Sequence, residues 1–126
     1  MTENELSKIV FESGLKVHMA LGPGLLESAY EECLYYELAK SGVFVEKQKA
    51  LPLIYEEVKM DIGYRTDLIV ENKLIVEIKS VEALHDIHFA QVLTYLKLSK
   101  CKLGLLLNFN VLLFKDGVKR VINGSL

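Results

Sequence analysis

The stretch RTDLIVENKLIVEIKS, residues 65–80, decides how this chain folds. It contains two apolar runs separated by a short polar break, which is the pattern of two strands joined by a turn. Charged side chains interrupt both runs, with Asp67 in the first and Glu77 and Lys79 in the second. Buried strands rarely carry ionised groups without partners, so these three residues need an explanation beyond packing.

The alternation of side chains along a strand fixes which of these residues share a face. Glu77 and Lys79 lie on one face of their strand. If Val70 pairs with Leu74, Asp67 lies opposite Glu77, and the other face of both strands is nearly pure hydrocarbon. A shift by one residue would bury Asp67 among apolar side chains, which is unfavourable for a carboxylate. We therefore predict the Val70–Leu74 register, which requires an odd-numbered loop, most simply Glu71-Asn72-Lys73, or else a bulge.

That register has a chemical consequence for the two carboxylates. The Cβ atoms of Asp67 and Glu77 would be about 5 Å apart. Like charges at this distance repel each other, and a divalent cation removes the repulsion. Two carboxylates with a backbone carbonyl and waters suit Mg²⁺ or Mn²⁺, and Lys79 could orient the attacking water or offset phosphoryl charge. The alternative is that these charges pair with one another and with Arg65 at a solvated strand end.

Composition limits the classes of protein to consider. The chain has 126 residues, 51% hydrophobic and 25% charged, which suits a single domain over residues 1–126. No apolar run reaches about 18 residues and the N-terminus is acidic, so neither a membrane segment nor a secretory signal is expected. Cys33 and Cys101 form no C-x-x-C pair, which favours free thiols in a reducing cytoplasm. The formal net charge is −2, so any positive surface for nucleic acid must be local.

Periodicity and turn residues predict the order α-α-β-β-β-α-β-β, an α/β fold in which helices flank a mixed sheet. The helices are expected at residues 4–21, 25–41 and 84–99. Thr2 or Asn4 is expected to cap the first helix. The segment KLGLLLNF is expected to be a buried strand, and LLFKDGVKRVI a terminal hairpin that turns at Asp116-Gly117.

Several motifs resemble those of the PD-(D/E)XK nuclease superfamily. The run DLIVENKLIVEIK has the form D-(x)9-E-x-K of its core motif, although Thr66 stands where many members have proline. QVLTY, residues 91–95, is similar to the Q-x-x-x-Y motif of the RecB-like branch. GLLESAY, residues 24–30, is similar to the G-x-x-E-x-x-Y signature of a small bacterial and archaeal family placed in this superfamily. The resemblance covers about residues 5–123 and implies a restriction-endonuclease-like fold.

The resemblance also implies a role for each matching residue and a divalent metal, Mg²⁺ or Mn²⁺, as cofactor. The implied metal ligands are Asp67, Glu77 and Glu27; the implied catalytic residues are Asp67, Glu77 and Lys79; and the residues implied to brace the site or touch DNA are Gln91 and Tyr95. Gln91 and Tyr95 are four residues apart, so they share one face of a helix.

We therefore expect a metal-dependent nuclease that hydrolyses phosphodiester bonds in DNA. The alternative is a non-catalytic module that keeps the fold and binds nucleic acid or another protein, and the net acidic charge favours it slightly. A nuclease core this small needs added DNA-binding surface, from a homodimer or a separate partner. A zinc site at His85 and His88 is not expected, because it would need further ligands. His88 is expected to cap a helix or lie on the surface, with a position that borders the site as the alternative.

Overall fold

The computed structural model describes residues 1–126, with three α-helices, seven strands and one short 3₁₀ helix. The helices are α1 (Glu3–Leu21), α2 (Glu27–Lys40) and α3 (Asp86–Ser99), and the 3₁₀ helix is Phe114–Gly117. The strands are β1 (Val45–Leu51), β2 (Ile54–Tyr55), β3 (Val58–Lys59), β4 (Tyr64–Val70), β5 (Leu74–Lys79), β6 (Leu103–Asn108) and β7 (Val118–Ile122). None of the helices has the length and apolar character needed to cross a membrane.

Five strands form one mixed sheet in the order β1-β4-β5-β6-β7, while β2 and β3 form a separate two-stranded ribbon. Neighbouring strands of the sheet are antiparallel except for β5 and β6, which are parallel. The parallel pair is connected through α3, because parallel neighbours require a long crossover. The predicted order of helices and strands along the chain is confirmed when only the strands of the main sheet are counted. In that sheet β5 is the central strand, with β4 beside it.

Each face of the sheet is covered by helices, and the strand residues alternate between two apolar cores. Leu68 and Val76 belong to the larger core, together with residues of α1 and α2. Ile69 and Ile75 belong to the smaller core on the opposite face, together with residues of α3. The polar residues of β4 and β5 are therefore confined to the ends of the strands that lie away from their loop.

The helix starts have local explanations. Thr2 caps α1 as predicted, because its hydroxyl accepts the N–H of Glu5 while the Glu5 carboxylate accepts the N–H of Thr2. At α3, Nδ1 of His88 accepts the backbone N–H of His85, so the predicted capping role is confirmed. Helices α2 and α3 each begin two residues later than predicted.

The predicted terminal hairpin at Asp116-Gly117 is wrong. These two residues end the 3₁₀ helix, and β7 pairs with β6 instead of with the segment just before the turn. The physical reason is Phe114, which is almost fully buried. Its ring packs at centroid distances of 5.6 Å from Phe11 and 5.1 Å from Phe109, so the segment folds inward onto α1.

Candidate active site

The β4–β5 hairpin has the predicted register, with Val70 paired to Leu74. The loop between them contains three residues, an odd number as predicted. Its first two residues, Glu71 and Asn72, have φ values of 52° and 54°. Two successive left-handed residues reverse the chain within this short loop, and the register that follows sets the position of every side chain along the hairpin.

Regular backbone pairing between β4 and β5 stops at the Leu68–Val76 pair. Beyond it, the carboxylates of Asp67 and Glu77 form the hydrogen bonds that connect the two strands. The backbone N–H of Asp67 donates to Oε2 of Glu77 at 2.7 Å. In return, the backbone N–H of Ile78 donates to Oδ2 of Asp67 at 2.8 Å. These reciprocal hydrogen bonds hold the two acidic side chains together between the strands, with one oxygen of each already oriented by the backbone.

The electrostatics of this pair are unfavourable for two negative charges. Glu77 is only 4% exposed. Burial, and then the charge of Asp67, raise the pKa of Glu77 to about 8, although the Asp67 N–H and the Lys79 ammonium act in the opposite direction. The folded chain therefore favours the protonated form of Glu77 well above the usual pH range of a glutamate, and a bound cation would displace that proton.

The donor set of the pair fits a hard divalent ion. Oε1 of Glu77 accepts no hydrogen bond, and Oδ1 of Asp67 accepts only a long one, 3.3 Å from Gln48. No three or more His, Cys, Asp or Glu side chains are grouped so that they could together hold a metal ion. A site with two carboxylates suits Mg²⁺, which keeps several waters, and does not suit zinc, which usually takes at least three protein ligands.

The end of β5 is tied to the start of α2, where the third predicted metal ligand lies. Lys79 is the last residue of β5 and is half-buried. The hydroxyl of Ser80, the next residue, donates to the backbone oxygen of Leu25 at 2.6 Å. Glu27 lies in the first turn of α2, where its side chain is exposed and forms no ion pair. The structure thus brings the helix end that carries Glu27 to the strand end that carries Lys79.

Two further residues lie at the site that the sequence did not single out. Glu31, one turn after Glu27 on α2, and Asp67 both accept hydrogen bonds from Nε2 of Gln48, at 2.7 and 3.3 Å. The pKa of Glu31 is raised above its ordinary value, mainly by burial and also by the negative charge of Asp67. The hydrogen bond from Gln48 opposes this rise. A glutamate among several on one helix and a glutamine in a polar strand form no distinctive pattern; the one available signal was the spacing of four residues from Glu27.

The predicted pair on α3 lies beside the carboxylates. Nε2 of Gln91 donates to the hydroxyl of Tyr95 at 3.2 Å. Burial, and then the charge of Glu77, raise the pKa of Tyr95, whose ring stacks on Tyr64 at 4.8 Å. An open groove of about 450 Å³ borders this pair, and its lining residues are Lys79, Ile87, His88, Ala90, Gln91, Thr94 and Tyr95. Lys79 thus lines the same groove as Gln91 and Tyr95.

Comparisons with known proteins show the family of the chain. The family model of the PD-(D/E)XK nuclease superfamily matches residues 4–121. A solved structure named "Crystal structure of SSO0001" is similar with 21% sequence identity and a TM-score of 0.47, and the match covers 96% of this chain and 79% of that chain. No curated protein matches the chain. Because the family model extends over nearly the whole sequence, the chain belongs to the PD-(D/E)XK nuclease superfamily, whose members generally use divalent metals and act on nucleic acids.

Proposed function

We propose that this protein is a metal-dependent nuclease that hydrolyses phosphodiester bonds in DNA. The observation that carries this proposal is the reciprocal pair of Asp67 and Glu77, which ends beside Lys79. A buried glutamate with a pKa near 8 beside a second carboxylate weakens the apo fold at neutral pH, and such perturbed groups concentrate at functional sites.

Asp67 and Glu77 would hold Mg²⁺ or Mn²⁺ through the oxygens that accept no backbone hydrogen bond. When bound, the metal supplies Lewis acidity that favours ionisation of a water molecule near the scissile phosphate. The G-x-x-E-x-x-Y resemblance supports Glu27 as an additional ligand. Because the helix end that carries Glu27 is tied to the end of β5, Glu27 would act on the same ion or on its waters.

Lys79 would act on the substrate and the water and would not bind the metal. Its ammonium group can stabilise the negative charge that develops on the phosphoryl oxygens during hydrolysis. Gln91 orients the Tyr95 hydroxyl beside the acidic pair, which supports the bracing role that the Q-x-x-x-Y resemblance implies. In this proposal one strand of DNA would pass these residues along the groove next to Lys79.

A non-catalytic nucleic-acid or protein-binding module is the second candidate. Two observations favour it: no three acidic or metal-binding side chains form a cluster, and the formal net charge is −2. Under either function, binding of DNA would need positive surface from a second copy of the chain or from a partner protein.

The decisive experiment compares Lys79→Ala with the wild-type protein. We expect the wild type to nick plasmid DNA with Mg²⁺ or Mn²⁺ and to stop when EDTA is added. Lys79→Ala should abolish cutting while calorimetry still detects metal binding, because lysine is not a ligand. Lys102→Ala is the matched control, since Lys102 is exposed and precedes β6 at the opposite end of the sheet from Lys79.

The possible outcomes separate the two candidate functions. Equal cutting by wild type and Lys79→Ala would identify the activity as a contaminant, and the enzymatic proposal would then be dropped. A wild type that binds Mn²⁺ and DNA without cutting would leave the non-catalytic module as the function.

A further inference from the structure

Gln48 adopts a backbone conformation that is unusual inside a strand. Its φ is 49°, in the left-handed region that residues other than glycine seldom occupy. The strand is regular on both sides, since Lys47 pairs with Leu68 and Lys49 pairs with Thr66. A strained residue of this kind persists only where its surroundings hold it, and such residues concentrate at functional sites.

The side chain of Gln48 reaches the acidic pair from the edge strand. Its amide nitrogen donates to Oε1 of Glu31 at 2.7 Å and to Oδ1 of Asp67 at 3.3 Å. A primary amide has two N–H donors, so one is available for each carboxylate. The opposite orientation would place the amide oxygen against two carboxylate oxygens and would repel both. The orientation of the amide is therefore determined by its partners.

These hydrogen bonds complete the constraint on Asp67. Its Oδ2 accepts the N–H of Ile78 on β5, and its Oδ1 accepts the amide of Gln48 on β1. Donors from both neighbouring strands thus orient the carboxylate, although the bond from the exposed Gln48 is the longer of the two at 3.3 Å. The same amide lies between Asp67 and Glu31, so it also stabilises two acidic groups that would otherwise repel each other.

We propose that Gln48, held in turn by Glu31, is a positioning residue that keeps Asp67 in the geometry with which Asp67 and Glu77 bind a divalent cation. This inference rests on the metal-dependent function proposed above. Residues that orient metal ligands typically contribute about 10–100-fold to metal affinity. The left-handed backbone of Gln48 is the local distortion that directs its amide toward the site.

A different explanation is that the distortion only protects an exposed edge strand from pairing with another chain. In that case the backbone of residue 48 matters and its side chain does not. A Gln48→Gly substitution separates the two explanations, because glycine adopts a positive φ without strain and has no amide to donate.

The test measures Mn²⁺ affinity by calorimetry on the full chain. Gln48→Gly should bind Mn²⁺ about 10–100-fold more weakly and remain folded, because relief of the left-handed backbone offsets part of the stability lost with the two hydrogen bonds. Glu57→Gly is the matched control, because Glu57 has a φ of 68° in the turn of the separate β2–β3 ribbon, and it should keep wild-type affinity. Gln48→Asn tolerates the left-handed backbone but is one methylene shorter, so it should show the same loss as Gln48→Gly.

Two results would overturn the role of Gln48. One is a Gln48→Gly protein that binds Mn²⁺ within about twofold of wild type, well inside the range expected for a positioning residue. The other is an equal loss of affinity in Glu57→Gly. The Asp67→Ala variant shows whether the proposed metal site itself is wrong. If Asp67→Ala binds Mn²⁺ as tightly as the wild type does, the metal is not held at this site. If Asp67→Ala loses affinity and Gln48→Gly does not, only the role of Gln48 is wrong.

Discussion

Glu77 links the chemistry of the site to the stability of the protein. Its pKa is about 8 in the folded chain, compared with 4.5 for an unperturbed glutamate. Because the folded state binds this proton more tightly than the unfolded state, the contribution of Glu77 is fully present below about pH 4.5 and is lost as the pH rises to about 8. The size of this contribution is on the order of a few kcal/mol.

We therefore expect Glu77→Gln to change the pH dependence of stability in metal-free protein. The Tm of the wild type in EDTA should fall from pH 5 to pH 8.5, relative to that of Glu77→Gln, because glutamine cannot lose a proton. Thermal unfolding across this range measures the difference. Glu82→Gln is the control, since Glu82 is exposed and forms no ion pair. Parallel curves for wild type and Glu77→Gln would contradict the assignment of the proton to Glu77.

The sequence predicted that Asp67 and Glu77 lie side by side, but it did not indicate that Glu31 and Gln48 lie next to them. The difference has a physical reason. The register that brings Asp67 to Glu77 follows from the unfavourable burial of a carboxylate, which is visible in the residue pattern. The contacts of Gln48 with Glu31 and Asp67 connect the edge strand β1 with α2 and with the neighbouring strand β4. A positive φ at glutamine has no sequence signature, so only the tertiary structure reveals it.

The start of α2 is held in place by Tyr30, whose hydroxyl forms hydrogen bonds with the backbone of the segment between α1 and α2. It donates to the backbone oxygen of Gly22 at 2.6 Å and accepts the N–H of Leu25 at 3.1 Å. The ring itself is fully buried and stacks on Phe109 at 4.5 Å. The tyrosine of the G-x-x-E-x-x-Y pattern is therefore a structural residue that fixes the approach of α2 to the site.

Tyr30→Phe should keep the packed ring and lose both hydrogen bonds of the hydroxyl. We expect a loss of about 1–3 kcal/mol in the free energy of unfolding, because the Gly22 and Leu25 backbone groups lose their partner. Urea denaturation measures this loss. Tyr36→Phe removes the hydroxyl of an exposed tyrosine on the same helix and should change stability little. Equal stabilities of the two variants would contradict the role of the Tyr30 hydroxyl.

Helix α3 is positioned by a glycine in the strand beneath it. A Cβ atom on Gly104 would lie 2.6 Å from Cγ1 of Val92, so α3 packs against β6 at a distance that excludes a methyl group. Gly104→Ala should reduce the free energy of unfolding by about 1–3 kcal/mol through overpacking. Combining it with Val92→Ala should cost less than the sum of the two single changes, because the smaller side chain makes room. Strict additivity in chemical denaturation would contradict this close contact.

The terminal segment shows where patterns of local sequence mislead. Asp116-Gly117 is a strong hairpin signal, yet the structure uses the glycine for a different purpose. A Cβ on Gly117 would lie 2.0 Å from the backbone oxygen of Asn108, so the glycine permits a close approach of two backbones. The first residue of each α-helix was predicted to within two positions, because the apolar spacing and turn residues that indicate a helix are local in sequence. The burial of Phe114 depends on α1 and has no such signal.

The charge distribution of the whole molecule limits how it meets nucleic acid. The chain has 17 acidic and 15 basic residues, and at the candidate active site Asp67 pairs with Glu77 while Gln48 connects it to Glu31. The superfamily assignment and the order of the helices and strands along the chain could both be anticipated from the sequence. The local balance of charge could not, because it depends on which side chains the sheet and α2 bring together. A DNA phosphate that approaches this site meets acidic side chains first, unless a cation is bound there.

Binding of DNA should therefore depend on a divalent cation even when no cutting occurs. Ca²⁺ is the appropriate probe, because its larger and looser coordination shell fits two carboxylates but holds the attacking water less rigidly than Mg²⁺. We expect fluorescence anisotropy of a labelled DNA to show clearly tighter binding in Ca²⁺ than in EDTA at the same ionic strength, with little cleavage. Matched ionic strength is essential because phosphate contacts weaken with added salt.

Asp67→Ala should bind DNA equally in Ca²⁺ and EDTA, since it lacks one of the two anchoring carboxylates. If Asp67→Ala retains the full response to Ca²⁺, the cation bridges DNA to another part of the surface, and the acidic pair is not where the phosphate binds.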